Sequence, residues 1–412
     1  MSSNARAHEF LGGILPAECL TTFAAQDGVP ALPLAAPATL AQALEVLRLA
    51  RNEHWTVLPI GLGSKLGWAR APERCDLVLS SRNLRGIEAY EPADGTLTAR
   101  AGTRWSELVE ATRARHHLSP ELARAEHTTL GGVLGAGASG LDRLRHGPLR
   151  HQVLGIQALQ ADGSLVKSGG RVVKNVTGYD LHRLWCGSEG SLCFLLEATL
   201  RLYPAPEELA LLRIRCASLA QGLALGHSLL RLRIQPVAVV LRAREHESAS
   251  ELALVLAGRP AALASELEVA QKTLAGAELL RADEARRARA ELRELEFEDG
   301  SWAPLSLALR PSNLPATVEH LQRVAHELGL PMRLVCHPLL GSLAASFPGV
   351  ALSAERVAAI GDALAASGVT LRWRGLGANT PALALPTAAA ALMQRLKHTL
   401  DPKGLFPRGP LP

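Results

Sequence analysis

GGRVVKNVTGYDLHRLWCGSEG, residues 169–190, is the stretch on which the reading of this chain turns. Glycines bracket it, and its middle is dense in polar groups: Arg171, Lys174, Asn175, Tyr179 and Asp180. Glycine lets backbone amides approach a partner closely, because no Cβ intervenes. Arg171 and Lys174 suit an anion, or a heteroaromatic ring that becomes anionic. A surface loop with solvated charges is the plain alternative, so the rest of the chain must decide.

Working outward, residues 192–203 alternate: Phe194, Leu196, Ala198, Leu200 and Leu202 on one face, Glu197, Thr199 and Arg201 on the other. This is the pattern of a half-buried antiparallel strand. Upstream, 153–160 and 164–167 flank Ala161-Asp162-Gly163, a hairpin signal. Earlier still, TTLGGVLGAGASG at 128–140 carries Leu130, Val133 and Leu134 among its glycines, which a flexible linker would not. Close backbone approach to a flat ligand accounts for that composition.

Thr39 and Gln42 form a capping box, with Leu40, Leu44 and Leu47 at helical spacing as far as Asn52. A short buried strand at 55–60 runs into Gly61-Leu62-Gly63-Ser64-Lys65-Leu66-Gly67, where converging amides suit a phosphate. The loop is nearly in register with a Rossmann fingerprint, but that fold needs a long helix opening at the loop. Here Pro72 and a strand-like 77–79 follow, so the Rossmann reading fails.

At 412 residues with 48% hydrophobic content, the chain reads as globular and as two domains. No uninterrupted apolar run approaches 18 residues, and the N-terminus lacks a basic segment followed by an apolar one, so a cytoplasmic location is expected. The net charge of +5 comes from scattered arginines, which argues against a nucleic-acid stripe. Cys19, Cys75, Cys186, Cys193, Cys216 and Cys336 form no CxxC pair or zinc-spaced set, so buried free thiols and no metal are expected. Any iron–sulfur cluster belongs to another subunit.

In this order, the blocks PIGLGSK (59–65), TTLGGVLGAGASG (128–140), GGRVVKNVTGYDL (169–181), GSEGSL (187–192) and the terminal LKHTLDPKGLF (396–406) resemble the vanillyl-alcohol oxidase/p-cresol methylhydroxylase (PCMH) type of FAD-linked oxidase. The resemblance implies an α+β fold: an N-terminal segment (1–27), a two-subdomain PCMH-type FAD-binding domain (28–206), a cap (207–375) and a C-terminal segment returning to the FAD domain (376–412). It implies FAD contacts at Ile60, Gly61, Leu62, Gly63, Ser64, Lys65, Pro120, Thr128, Leu130, Gly131, Gly132, Gly135, Ala136, Gly137, Ser139, Gly140, Val153, Lys174, Asn175, Gly187 and Gly190. Amides of 60–65 would hold the pyrophosphate, each charge-assisted bond contributing about 1.5–3 kcal/mol. Gly63-Ser64-Lys65 contains no histidine for a covalent bond, so dissociable FAD is expected.

Residues 207–375 parse as a duplicated βαββαβ pattern, a pair of ferredoxin-like units, with a charged helix at 282–296 between them that reads as a solvated or partner face. Catalytic relatives carry a histidine–acid motif in the cap. Over it this chain has His337, Leu340, Gly341, Ser342 and Ala344, and over a later one Trp373 and Arg374. His337 then reads as a core histidine, and Lys174, Tyr179 and Arg374 remain as catalytic candidates.

The resemblance therefore implies an FAD-binding subunit of a multi-subunit glycolate (2-hydroxy acid) oxidase. A sister FAD-linked subunit would oxidise glycolate or D-lactate, and an iron–sulfur subunit would take the electrons. Peripheral membrane association would come only through the complex. The alternatives are a self-sufficient 2-hydroxy-acid dehydrogenase and a non-catalytic structural subunit.

Overall fold

The computed structural model describes residues 3–170, 179–244, 249–298, 300–365, 369–381 and 385–409. Lys174 and Asn175 lie outside the described residues. The Thr39 side chain accepts from the Gln42 amide and Gln42 reciprocates, so helix Leu40–Asn52 starts on a complete capping box. That helix connects strand Leu32–Ala35 to strand Val57–Ile60. Both strands run parallel to Leu77–Ser80 in a four-stranded sheet whose antiparallel edge is Leu20–Phe23.

A second, five-stranded antiparallel sheet is ordered Ile87–Glu91, Thr96–Arg100, Phe194–Arg201, Val153–Leu159, Leu165–Gly169. Central strand Phe194–Arg201 buries the apolar face read in the sequence. Thr199, on its other face, is also buried, and its hydroxyl is satisfied by Thr98 at 2.9 Å. Phe194 and Leu196 pack into one cluster with Leu47, Val57 and Leu79, which joins the two sheets.

The second half forms an eight-stranded sheet. Its first unit is ordered Glu278–Arg281, Glu208–Cys216, Ser250–Gly258, Ala238–Ala243, and its second Arg333–His337, Ser342–Ser346, Leu305–Ala308, Thr370–Trp373. Numbered along the chain, the spatial order is 4-1-3-2 and then its mirror. The units meet where Ala238–Ala243 pairs antiparallel with Arg333–His337. Four helices, Leu219–Ser228, Pro260–Thr273, Leu314–Glu327 and Ala354–Ala365, bury one face.

The charged helix is Ala282–Glu294, and it is not a free solvated face. Ala285, Ala288 and Leu292 pack with Leu141 of the first half on the sheet's other face. Arg289 Nε donates to Glu121 Oε2 at 2.8 Å, so the helix is part of the contact between the two halves.

Helix Thr387–Leu400 carries the chain back to the first half. The Lys397 ammonium donates to Ser191 O (2.7 Å), Asp401 Oδ2 (2.6 Å) and Phe406 O (2.9 Å). Asp401 in turn accepts from the Leu405 and Phe406 amides, and Leu405 O accepts from Val57 N. Leu405 and Phe406 join the core. Removing one member of a buried ion pair strands the other, at about 3–5 kcal/mol. Asp401→Ala should lower stability by about that much in urea-induced unfolding; a loss below about 1 kcal/mol would show the pair to be solvated in solution.

Candidate functional site

Strand Val57–Ile60 ends at a cleft of about 710 Å³ lined by residues 58–66, Thr128, Gly131, Gly132, Gly135, Ala136, Gly190 and the returning tail. Among the described residues, none of the amides of Gly61, Leu62, Gly63, Ser64 and Lys65 donates a hydrogen bond within the protein. Consecutive unpaired amides on one loop make an anion nest. Gly61 is required there by crowding: a Cβ would stand 2.0 Å from Thr129 Oγ1.

The far wall is the short helix Leu130–Ala136, capped by Thr129 Oγ1 accepting from Gly132 N. It ends at Gly137 with φ +58°, where a Cβ would meet Gly187 Cα at 3.0 Å. A Cβ on Gly135 would meet nothing within 4 Å, so this glycine leaves open space facing the cleft. The turn 187–190 is tied to the same helix through Gly187 N to Leu134 O and Glu189 N to Gly135 O.

Ala136 also borders an inner cleft of about 400 Å³, together with Gly137, Ser139, Gly140, Gly187 and the second-half residues Glu296, His337, Arg372 and Arg374. Lys65 borders both clefts. Its ammonium donates to Thr128 Oγ1 at 2.8 Å and lies 5.6 Å from the Trp68 ring centre. Burial, with Arg124 nearby, pulls its pKa down to about 8.

Arg374 Nη1 donates to Glu296 Oε2 (3.0 Å), and its guanidinium stacks 4.5 Å from the Trp68 ring centre. His337 Nε2 is 3.6 Å from Glu296 Oε1. Burial opposes ionisation of Glu296, but the neighbouring His337 imidazole and the Arg374 charge outweigh it and hold the carboxyl at about 2. Arg372 Nη1 reaches across to Glu189 Oε1 at 2.7 Å, while Glu189 Oε2 is buried with no partner among the described residues. Burial raises the Glu189 pKa despite Arg372. Cys186, on the inner cleft, is pushed up to about 12 by burial, so it is no nucleophile at neutral pH.

Most sequence-predicted positions therefore converge on the two clefts, with exceptions. Leu130 and Val153 put their side chains in the core and line neither cleft. Pro120 follows a cis bond to Ser119 and accepts from Trp105 Nε1. Tyr179 is 93% exposed. His337 faces the inner cleft instead of sitting in the core. Glu296, Glu189 and Arg372 carry no signal as site residues in the sequence, where Glu296 reads as the end of the charged helix.

A nest of unpaired amides at the end of a parallel strand, facing a glycine wall, has the chemistry to hold a phosphate. Residues 31–169 match the family model described as FAD binding domain (FAD_binding_4). The chain is similar to D-lactate dehydrogenase of Archaeoglobus fulgidus, 33% identical over 180 residues, covering 43% of this chain and 40% of that one. It is also similar to the glycolate oxidase subunit GlcD of Bacillus subtilis, 29% identical over 173 residues, with 42% and 37% covered. The chain thus matches about two fifths of the length of these relatives. Among solved structures, p-cresol methylhydroxylase aligns over 98% of this chain and 96% of its own with a TM-score of 0.77 at 13% identity. Alkyldihydroxyacetonephosphate synthase aligns with a TM-score of 0.74 at 15% identity, over 98% and 85%. The fold is therefore like that of p-cresol methylhydroxylase over nearly the whole chain.

The residues present fit FAD: free amides for a pyrophosphate, open space at Gly135, and Lys65, a cation with no carboxylate partner among the described residues. Gly135→Val should leave the fold intact and weaken FAD binding by about 10- to 100-fold, as overpacking of about 1–3 kcal/mol requires. Flavin fluorescence titration checks this; unchanged affinity would move the ligand elsewhere. Lys65 is charged below about pH 8 in the free protein, and an anionic ligand favours the charged form. FAD affinity should therefore fall as pH rises above about 8, and Lys65→Met should flatten that profile.

Proposed function

We propose that this chain is the FAD-binding subunit of a multi-subunit 2-hydroxy-acid oxidase, of the kind represented by the E subunit of glycolate oxidase. It holds FAD non-covalently, and its partners are a sister FAD-linked subunit that oxidises glycolate or D-lactate and an iron–sulfur subunit. Bound FAD supplies two-electron redox chemistry that can be passed onward one electron at a time. The nest at 61–65 binds the diphosphate, the helix Leu130–Ala136 and the turn 187–190 orient the ring, and the cap (207–375) with the returning tail (376–412) excludes water. Residues 28–206 provide the cradle.

The observation that carries this reading is the state of the inner cleft. Glu296 is already committed to both His337 and Arg374, so Arg374 is not presented to a substrate carboxylate. Among the described residues no helix is long and apolar enough to cross a membrane, which fits a cytoplasmic subunit reaching a membrane only through its complex.

A second reading has one observation in its favour. His337 beside Glu296 is a histidine–carboxylate pair, the arrangement of an oriented general base. Arg150, which borders the same cleft, would then meet a substrate carboxylate in a self-sufficient dehydrogenase.

Anaerobic addition of glycolate or D-lactate to the FAD-loaded chain alone separates the two. The proposal expects no bleaching of the flavin until the sister subunit is added. Bleaching in the isolated chain that His337→Ala abolishes would overturn the division of labour and establish the second reading.

A further inference from the structure

Away from both clefts, His117, Asp142 and His146 come together beneath the loop that follows the glycine run. Their ligand-type atoms all lie within 4.8 Å of one another. His117 stands on the short strand His116–His117, and Asp142 and His146 begin and end the turn of helix after residues 139–141, which border the inner cleft. Asp142 is fully buried: Oδ2 meets His117 Nε2 at 2.7 Å and Oδ1 accepts from Glu121 N at 2.8 Å. Among the described residues, neither ring nitrogen of His146 has a hydrogen-bond partner; its ring stacks 4.0 Å from that of Tyr203.

We propose that His117, Asp142 and His146 form a binding site for one divalent transition-metal ion of the zinc type, which clamps the segment carrying the flavin-side loop to the strand beneath it. The ring centres of His117 and His146 are 5.2 Å apart. Two imidazoles sharing a tetrahedral ion at about 2 Å from each nitrogen would place their ring centres roughly 5 Å apart. The ligand atoms need to close from within 4.8 Å to about 3.4 Å, a movement within reach of side-chain rotation.

Two imidazoles and one carboxylate select a borderline ion over magnesium or calcium, which take oxygen ligands. The protonation states suit it as well. Burial pulls His146 down to about 4, leaving the neutral imidazole that a metal requires. Despite burial, bonds from His117 and from the Glu121 amide keep Asp142 below the usual carboxylate range. Arg145 and Arg289 are the nearby cations, and each is engaged elsewhere: Arg145 donates to Gln235 O and Arg289 to Glu121. Binding through His117 Nε2 replaces its contact with Asp142 and leaves that ring's proton on Nδ1. The ligand spacing of 25 and then 4 residues matches no zinc pattern, so the cysteine and histidine arithmetic of the sequence passes over it.

The test is titration of the chelator-stripped full chain with zinc chloride, read by calorimetry and elemental analysis, with cobalt(II) absorption reporting the ligand set. One equivalent is expected, together with a rise in thermal midpoint. His146→Ala should weaken binding at least tenfold and abolish the rise; His146→Phe, which keeps the ring on Tyr203, should do the same without disturbing the fold. No stoichiometric binding to the folded chain, or binding undiminished in both variants, would overturn the site.

Discussion

Five neighbouring amides with no acceptor among the described residues set the terms for this structure. A backbone N–H sealed away from any acceptor costs about 1–3 kcal/mol, so such a loop exists only where water or a ligand takes its place. Keeping residues 61–65 open requires a strand that stops at Ile60, a neighbour that tolerates only glycine at 61, and walls that do not collapse inward. Thr129 serves two of these needs: it crowds Gly61 and caps the helix that forms the opposite wall. The buried Lys397–Asp401 pair serves the third by fixing the tail against Val57, one strand-length from the loop.

The cap is registered on this cradle by charge. Arg372 to Glu189 and Arg289 to Glu121 each join the second half to a segment of the first that borders a cleft. Glu189 sits at positive φ in a turn whose amides hold the helix Leu130–Ala136, so a pull from Arg372 acts on the glycine wall itself. Its second oxygen is buried without a partner among the described residues, an arrangement tolerated because the ion pair holds the first. A continuous set of contacts thus runs from the cap through Glu189 to the glycine wall.

Local rules made the first half legible. The capping box at Thr39, the alternation of Phe194–Arg201 and the glycine runs each state a local conformation, and the observed elements occur at those places. Longer-range facts were hidden. Lys397 and Asp401, four apart on a helix, look like an ordinary surface pair, and only the tertiary fold buries them. Glu296 read as the end of a charged helix, yet the helix stops at Glu294 and the next residues turn into the inner cleft. Leu130 shares a motif with cradle residues and Val153 opens a strand, but both apolar side chains go to the core. Charge on the helix Ala282–Glu294 concealed a narrow alanine and leucine stripe, because alanine contributes little to an apolar pattern while still permitting close packing.

Lys65 shows what the fold anticipates. Its ammonium is largely withdrawn from water, with Thr128 Oγ1 as its hydrogen-bond acceptor, two tryptophan faces within about 6 Å and Arg124 repelling it. Cation–π contacts offset part of this, on the order of 1–2 kcal/mol, yet the depressed pKa shows that the offset is incomplete. Among the described residues no carboxylate pairs with it, although Glu296 is close enough to neutralise Arg374 across the same Trp68 ring. A cation kept uncompensated beside five open amides is favourable only once an anion arrives between them. The free energy forgone in the empty protein would be recovered on binding, so the loop, the lysine and the tryptophans together favour a phosphate-bearing guest over water on the reading proposed above.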